Sequence, residues 1–311
     1  MGWGRAYFGV QASAGALWWI AVFLSPDVRT ATLGRLDPVV VALWDVPLFV
    51  VMSALAAFGA RAPAALATLW TSLVAALLAG YATLTSLAGV GAVLMIASAA
   101  GSVVALFLVR TGRVPTELLL IGPLRFRTAQ SAAARSRHVR ATAVQVAIFW
   151  GVLLGAVPFV IGTFEQRWQL SVEFPLAVTV AGWVVFLLAS ALGIWAAVVM
   201  STRGAGTPLP SDAATRFVVG GPYRFVRNPM ALAGIVQGAA VGLMVSSWLV
   251  VIYAVCGSLV WNFIVRPHEE RDLEARFGDA FRRYREQVRC WWPRLRPIPA
   301  SVTPGVLQPA R

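Results

Sequence analysis

Residues 231–265 read ALAGIVQGAAVGLMVSSWLVVIYAVCGSLVWNFIV, preceded by Gly220-Gly221-Pro222-Tyr223-Arg224-Phe225-Val226-Arg227-Asn228-Pro229 and followed by Arg266-Pro267-His268-Glu269-Glu270. Only Ser246 and Ser247 lie near the middle of the apolar run. At about 1.5 Å per helical residue, each arm is barely long enough to cross a hydrocarbon core of about 30 Å. The stretch therefore predicts a tight membrane hairpin. Closing it returns Arg266 and Glu269 to the membrane surface that holds Arg227 and Asn228, so two polar clusters far apart in sequence meet at one bilayer edge.

Composition extends this reading to the whole chain. With 59% hydrophobic and 13% charged residues, an ordinary soluble domain is excluded. The fold class is all-α: a polytopic transmembrane bundle of about eight spans with a C-terminal amphipathic cytoplasmic helix. The spans lie near residues 6–24, 39–60, 63–85, 87–109, 141–162, 175–200, 229–245 and 247–265. The first follows only Arg5 and lacks a small-residue cleavage site, so it reads as a retained span.

The net charge of +13 comes from 26 arginines without a lysine. These arginines sit between spans, which marks topology and headgroup contact; no nucleic-acid partner is expected. Arg110, Arg113, Arg125, Arg127, Arg135, Arg137 and Arg140 crowd one segment in which Glu117 is the sole acid. Arg203, Arg216, Arg224 and Arg227 fill a second segment, and the C-terminal tail is also arginine-rich. All three fall on one side of an eight-span arrangement, which the positive-inside rule makes cytoplasmic, together with both termini. The expected setting is an integral protein of the bacterial inner membrane, with membrane lipids as partners. Oligomeric state is not legible.

Four regions follow: an N-terminal four-span region at 1–110, a basic cytoplasmic connection at 111–140 with a short surface helix, a membrane domain at 141–296, and a disordered tail at 297–311. Two cysteines, Cys256 and Cys290, and two histidines, His138 and His268, supply neither a disulfide framework nor a metal-ligand pattern. Inside the spans, Asp45 is the costliest residue; beside Trp44 and Pro47 it reads more readily as interfacial than as a substrate or proton contact. Gln145, Gln237 and Asn262 read as interhelical hydrogen-bonding groups. Gly234, Gly238 and Gly242 form one smooth face suited to close helix packing or to a lipid tail.

Chemistry concentrates around the hairpin. Arg227-Asn228-Pro229 stands at a helix start, where proline is tolerated and backbone N–H groups are free for an anionic or multiply hydrogen-bonding ligand. Downstream, Leu273, Phe277, Phe281, Tyr284 and Val288 recur at intervals of three and four, which predicts an amphipathic helix lying on the membrane surface and roofing a pocket. Trp291-Trp292-Pro293 reads as an interfacial anchor.

Over residues 201–296 this constellation resembles the C-terminal signature of the isoprenylcysteine carboxyl methyltransferase family and its phospholipid and bacterial methyltransferase relatives. The matching residues are Gly221-Pro222-Tyr223, Arg227-Asn228-Pro229-Met230-Ala231, Glu269-Glu270, Leu273, Phe277-Gly278, Tyr284 and Pro293. The resemblance implies S-adenosylmethionine as methyl donor, bound without a Rossmann glycine loop, and a lipophilic methyl acceptor. Tyr223, Arg227, Asn228, Pro229, Met230, Ala231 and Glu269 would line the donor pocket, and Arg216-Phe217-Val218 would approach it as an extended segment. Arg266 would face the acceptor. A carboxylate acceptor needs no base, whereas a phenol or amine would draw on Glu270 or His268. The chain departs from the family pattern where asparagine replaces histidine at 228 and alanine replaces tyrosine at 231. Two rivals share parts of this pattern: a sterol-reductase-like enzyme using NADPH, and a non-catalytic scaffold or carrier.

Overall fold

The computed structural model describes residues 2–119, 135–204 and 216–298. The surface helix expected within 111–140, the approach to Arg216, and the tail beyond Ile298 lie largely outside them. The chain divides into two compact units, Met1–Pro115 with Thr163–Leu170, and Thr116–Gly162 with Ser171–Arg311. Seven described helices are long and apolar enough to cross a membrane, and Pro229–Met244 is a shorter apolar helix. The chain is an integral membrane protein, and the described elements are helical with irregular connections.

The first unit carries the spans Gly2–Leu24, Pro38–Ala57, Arg61–Thr85 and Gly89–Thr111. Between the first two, the expected outer loop folds into a short helix, Pro26–Leu33. Both neighbouring helix starts follow one rule: a polar side chain caps free N–H groups and proline takes the first turn. Ser25 Oγ accepts from Val28 N, and Asp37 Oδ1 accepts from Val39 N and Val40 N. Within Pro38–Ala57, a π-helical stretch at Val46–Val51 includes Pro47, whose missing N–H loosens the backbone ladder. The core around Phe8 is built of Ala56, Ala64, Ala67 and Ala105, small residues that let helices approach where lipid offers no hydrophobic drive. A buried polar chain crosses this packing: Gln11 Nε2 donates to Ser53 Oγ at 3.0 Å, and Ser102 Oγ donates to Gln11 Oε1 at 2.8 Å.

Asp45 is buried within the helix packing. It is only 5% exposed, and its two oxygens accept from Trp19 Nε1 and Trp70 Nε1 at 2.9 and 2.8 Å. The sequence showed the neighbouring Trp44, but the indoles that bind Asp45 come from two other helices.

In the second unit, Leu176–Arg203 packs along Pro229–Met244, the first arm of the hairpin. Gln237 Nε2 donates to Ser190 Oγ between them at 2.9 Å, as an interhelical glutamine should. The hairpin turns at Ser246, which takes a left-handed φ of 51°, and Ser247 Oγ then caps the second arm by accepting from Val250 N. The glycine face of the first arm is filled by protein. A Cβ at Gly234 would meet Phe149, one at Gly238 would meet Ala254, and one at Gly242 would meet Val251 and Ser247.

Two features differ from the sequence expectation. The last span runs on through a π-helical stretch at Trp261–Val265 into the amphipathic segment, which is kinked at Gly278 where φ is 51°. Pro267 follows that stretch; widening the turn relieves its clash with the preceding carbonyls without ending the helix. In addition, the face formed by Phe277, Phe281, Tyr284 and Val288 does not rest on lipid. It packs against Phe217 and Ile298, with Phe217 to Phe277 ring centroids 5.3 Å apart. Ile298 is 3% exposed, so the start of the segment read as a disordered tail is docked into the core.

At Gly242 an added Cβ would lie 2.6 Å from Val251 Cγ2 and 3.0 Å from Ser247 O. Gly242→Ala should therefore lower the thermal midpoint of the detergent-solubilised protein, with an overpacking cost of about 1–3 kcal/mol. Gly257→Ala, with nothing within 4 Å of its added Cβ, should leave the midpoint unchanged or raise it.

Candidate functional site

The site is assembled where three segments meet: the hairpin start at 227–231, the helix beginning at Arg266, and the returning chain at 288–298. Asn228 is the N-cap of Pro229–Met244; its Oδ1 accepts from Ala231 N at 3.2 Å. That bond orients the amide so that Nδ2 donates to Glu269 Oε2 at 3.2 Å. Capping and carboxylate binding thus use opposite ends of one side chain. Among the described residues, Glu269 Oε1 has no protein donor.

Arg227 binds in four directions. Its backbone N–H donates to Arg289 O at 2.9 Å, and Nη1 donates to Arg285 O and Val288 O at 3.0 and 3.1 Å. Nη2 donates to Glu270 Oε1 at 2.8 Å. The two side-chain bonds to carbonyls satisfy acceptors that the end of Arg266–Gln287 leaves open. Arg266 Nε stands 3.8 Å from the same Glu270 oxygen, beyond hydrogen-bond reach. The Nε atoms of Arg227 and Arg266 are both buried without an acceptor.

The returning chain closes the site from below. Ile298 N donates to Arg224 O at 3.2 Å, Arg224 Nε donates to Ile298 O at 2.8 Å, and Arg294 N donates to Phe225 O at 2.9 Å. Trp291 Nε1 donates to Asn262 Oδ1 at 2.8 Å, so this indole docks inward while Trp292 is 74% exposed. Asn262 therefore serves this returning chain rather than a neighbouring span.

Electrostatics distinguish the two glutamates. Burial, then the negative charge of Glu270, raises the Glu269 carboxyl from its ordinary 4.5 to about 7, opposed by the Asn228 hydrogen bond. Glu270 is instead held in an ion pair with Arg227. Burial raises the phenols of Tyr223 and Tyr284, keeping both neutral, and Tyr284 Oη donates to Tyr223 O at 2.7 Å. His268 is shifted downward by burial and by Arg271. Arg271 Nη2 lies 3.2 Å from His268 Nδ1 and can only donate, so Nδ1 accepts and Nε2 carries the proton toward Thr116 Oγ1 at 2.9 Å. Both imidazole nitrogens are thus engaged in holding the chain.

Of the residues singled out from sequence, Arg227, Asn228, Glu269, Glu270 and Arg266 form one cluster. Pro229 and Ala231 shape its helix start. Tyr223 and Met230 pack instead with Val218, Ala196 and Val199, in a core beside the cluster. Phe217 belongs to the aromatic core under the terminal helix, and Arg216 is exposed, its N–H donating to Gly204 O. The contributions of residues 288–298 were missed; isolated backbone pairing of an irregular segment leaves no periodic signal.

The family model described as phospholipid methyltransferase matches residues 176–280. The match begins at the start of Leu176–Arg203, takes in the hairpin and the whole five-residue cluster, and ends within the terminal helix. It supports a membrane methyltransferase and covers residues 201–280 of the 201–296 region in which the sequence resemblance was found. No curated protein matches the chain.

The raised carboxyl has a thermodynamic consequence. The folded state holds the Glu269 proton more tightly than the unfolded chain, so this contribution to stability is full below about pH 4.5 and is lost as pH rises through about 7. Thermal midpoints measured across pH 4.5–8 should fall less steeply in Glu269→Gln than in the unaltered protein. Parallel curves would show that Glu269 titrates as an ordinary surface carboxyl.

Proposed function

We propose that the C-terminal unit is an S-adenosylmethionine-dependent methyltransferase acting on a lipid-soluble acceptor at the cytoplasmic membrane face. The observation that carries this reading is the Asn228–Glu269 pair, placed at a helix start inside the segment matched by the phospholipid methyltransferase model. The arginine distribution supports the cytoplasmic orientation. The acceptor class extends from a phospholipid amine to a prenyl carboxylate or another isoprenoid group.

The residues present fit such a donor. A partly buried carboxylate with one uncommitted oxygen suits ribose hydroxyls or an ammonium, and two buried guanidinium Nε–H groups without acceptors suit an anionic group. When bound, S-adenosylmethionine supplies a methyl group on an electrophilic sulfonium. The chain's task is then alignment and exclusion of water. Asn228 fixes Glu269, so that the carboxylate meets the ligand without first reorganising. Tyr223, Met230 and the backbone of 229–231 bound the donor side, while Arg266 orients an anionic acceptor head. Glu270 neutralises Arg227 and faces Arg266; for a phenol or amine acceptor it is the nearest group able to accept a proton.

Titration calorimetry on the detergent-solubilised protein tests this directly. Glu269→Ala should weaken S-adenosylmethionine binding by roughly 100-fold, the scale of losing one partner of a buried charged contact. Asn228→His should preserve or strengthen binding, since an imidazole can also cap the helix and face Glu269. Unchanged affinity in Glu269→Ala would sink the assignment of the donor site, and binding of NADPH instead would favour a reductase. With methyl-labelled donor, radioactivity should appear in the lipid extract of membranes containing the unaltered protein and be absent with Glu269→Ala.

A further inference from the structure

The N-terminal unit, outside the segment matched by the family model, carries a half-open cavity of about 730 Å³. Its walls come from the first four spans and the Pro26–Leu33 helix, and they are overwhelmingly apolar. Asp45 is the sole charged side chain among the lining residues. Trp18, Trp44, Phe49, Trp70 and Tyr81 line the same cavity, and Trp70 is bonded to Asp45.

Most polar groups in this wall are already satisfied by protein. Tyr7 Oη donates to Ser98 O, Thr32 Oγ1 donates to Val28 O, and Gln11 is bonded at both ends. Tyr81 Oη accepts from Arg35 N. Two groups with unused capacity stand out. Trp18 Nε1 is buried with no acceptor. Asp45 accepts one indole N–H on each oxygen, which leaves lone pairs free and brings no positive charge. No described arginine or histidine forms an ion pair with it.

A carboxylate deep among apolar spans is costly unless a cation or a proton neutralises it. Indole donors orient the group, but they do not cancel its charge. The aromatic rings in the same wall supply electron-rich faces, which also attract a cation within about 6 Å of a ring centroid. The cavity is large enough for an alkyl chain or ring system beside the charged head, in the volume range of small-molecule sites. We propose that this cavity is a binding site for a lipophilic ammonium compound, its cationic head held between Asp45 and the surrounding rings and its apolar part filling the remaining space. The site is distinct from the Asn228–Glu269 cluster and does not depend on the methyl-transfer reading.

The test uses the full chain in nanodiscs of uncharged lipid, with radiolabelled dodecyltrimethylammonium and, in parallel, dodecanol as a neutral probe of equal chain length. The ammonium should bind saturably at one site per chain, and at least about tenfold more tightly than the alcohol, the scale expected for a desolvated cation–π contact joined to an ion pair. Asp45→Asn should remove that preference while dodecanol binding stays as it was. Trp44→Leu, which leaves the Asp45 hydrogen bonds untouched, should weaken the ammonium by about three- to tenfold and keeps the test open if Asp45→Asn does not fold. Equal affinity for the two probes would mean that Asp45 is held neutral and the cavity takes uncharged lipid. An ammonium affinity unmoved in either folded variant, or purely non-saturable uptake, would equally overturn the proposal.

Discussion

The C-terminal unit depends on one partly buried cation. Arg227 sits between the turn at 221–224 and the hairpin, and it must be compensated where water is scarce. Its backbone fixes the returning chain through Arg289, its Nη1 caps the terminal helix, and its Nη2 pairs with Glu270. Three segments that share no sheet or long helix interface are thereby held in one register. Without this cation the carbonyls at 285 and 288 and the Glu270 carboxylate would each lose a buried partner, and every such loss costs more than the bond itself contributed. The same constraint sets the position of Glu269, which lies one residue from Glu270 on a helix whose start and end are both tied to Arg227.

Neighbouring glutamates in this arrangement acquire different chemistry. Glu270 meets a guanidinium and serves the architecture. Glu269 is turned toward Asn228, lacks a cation of its own, and feels its neighbour's charge, which is why its proton is held to about pH 7. A carboxyl of that kind is poised to ionise when a positively charged or hydroxyl-rich ligand arrives, so ligand and proton compete for one oxygen pair. Asparagine at 228 is suited to this arrangement in a way that a charged residue is not. It caps the helix with its oxygen and supports the carboxylate with its nitrogen, without adding a charge that would fix the protonation state of Glu269.

Much of this was legible from residue order alone. The apolar runs gave the spans to within a few residues, because an α-helix is the sole economical way for a single segment to satisfy its backbone in lipid. The meeting of 227–228 with 266–270 followed from the hairpin's length. Harder to read were features set by tertiary partners. The 3.6-residue pattern of Leu273 to Val288 showed that one face must be covered, yet could not say that Phe217 and Ile298 cover it rather than lipid. The continuation of the last span past Pro267 was hidden because that proline ordinarily argues for a break, and a π-helical turn absorbs it. The burial of Asp45 was hidden for a related reason: its partners, Trp19 and Trp70, lie 26 and 25 positions away on other helices, where local context carries no trace of them.

The two units place buried carboxylates under opposite regimes. Glu269 lies at the membrane edge, partly accessible, with a hydrogen-bonding amide and a second acid nearby, so its charge state follows solvent pH. Asp45 is enclosed among apolar helices, and its hydrogen bonds come from indoles whose positions are fixed by the packing of three spans. Its charge state therefore follows whatever occupies the adjoining cavity. An acid that served only to join helices would be more cheaply replaced by glutamine or serine, which bridge helices in this same unit at Gln11, Ser53 and Ser102 without a formal charge. Retaining a full carboxyl beside an apolar space, with two donors preserving its orientation, is a configuration whose energetic cost is offset when a positive group enters that space or a proton neutralises the acid.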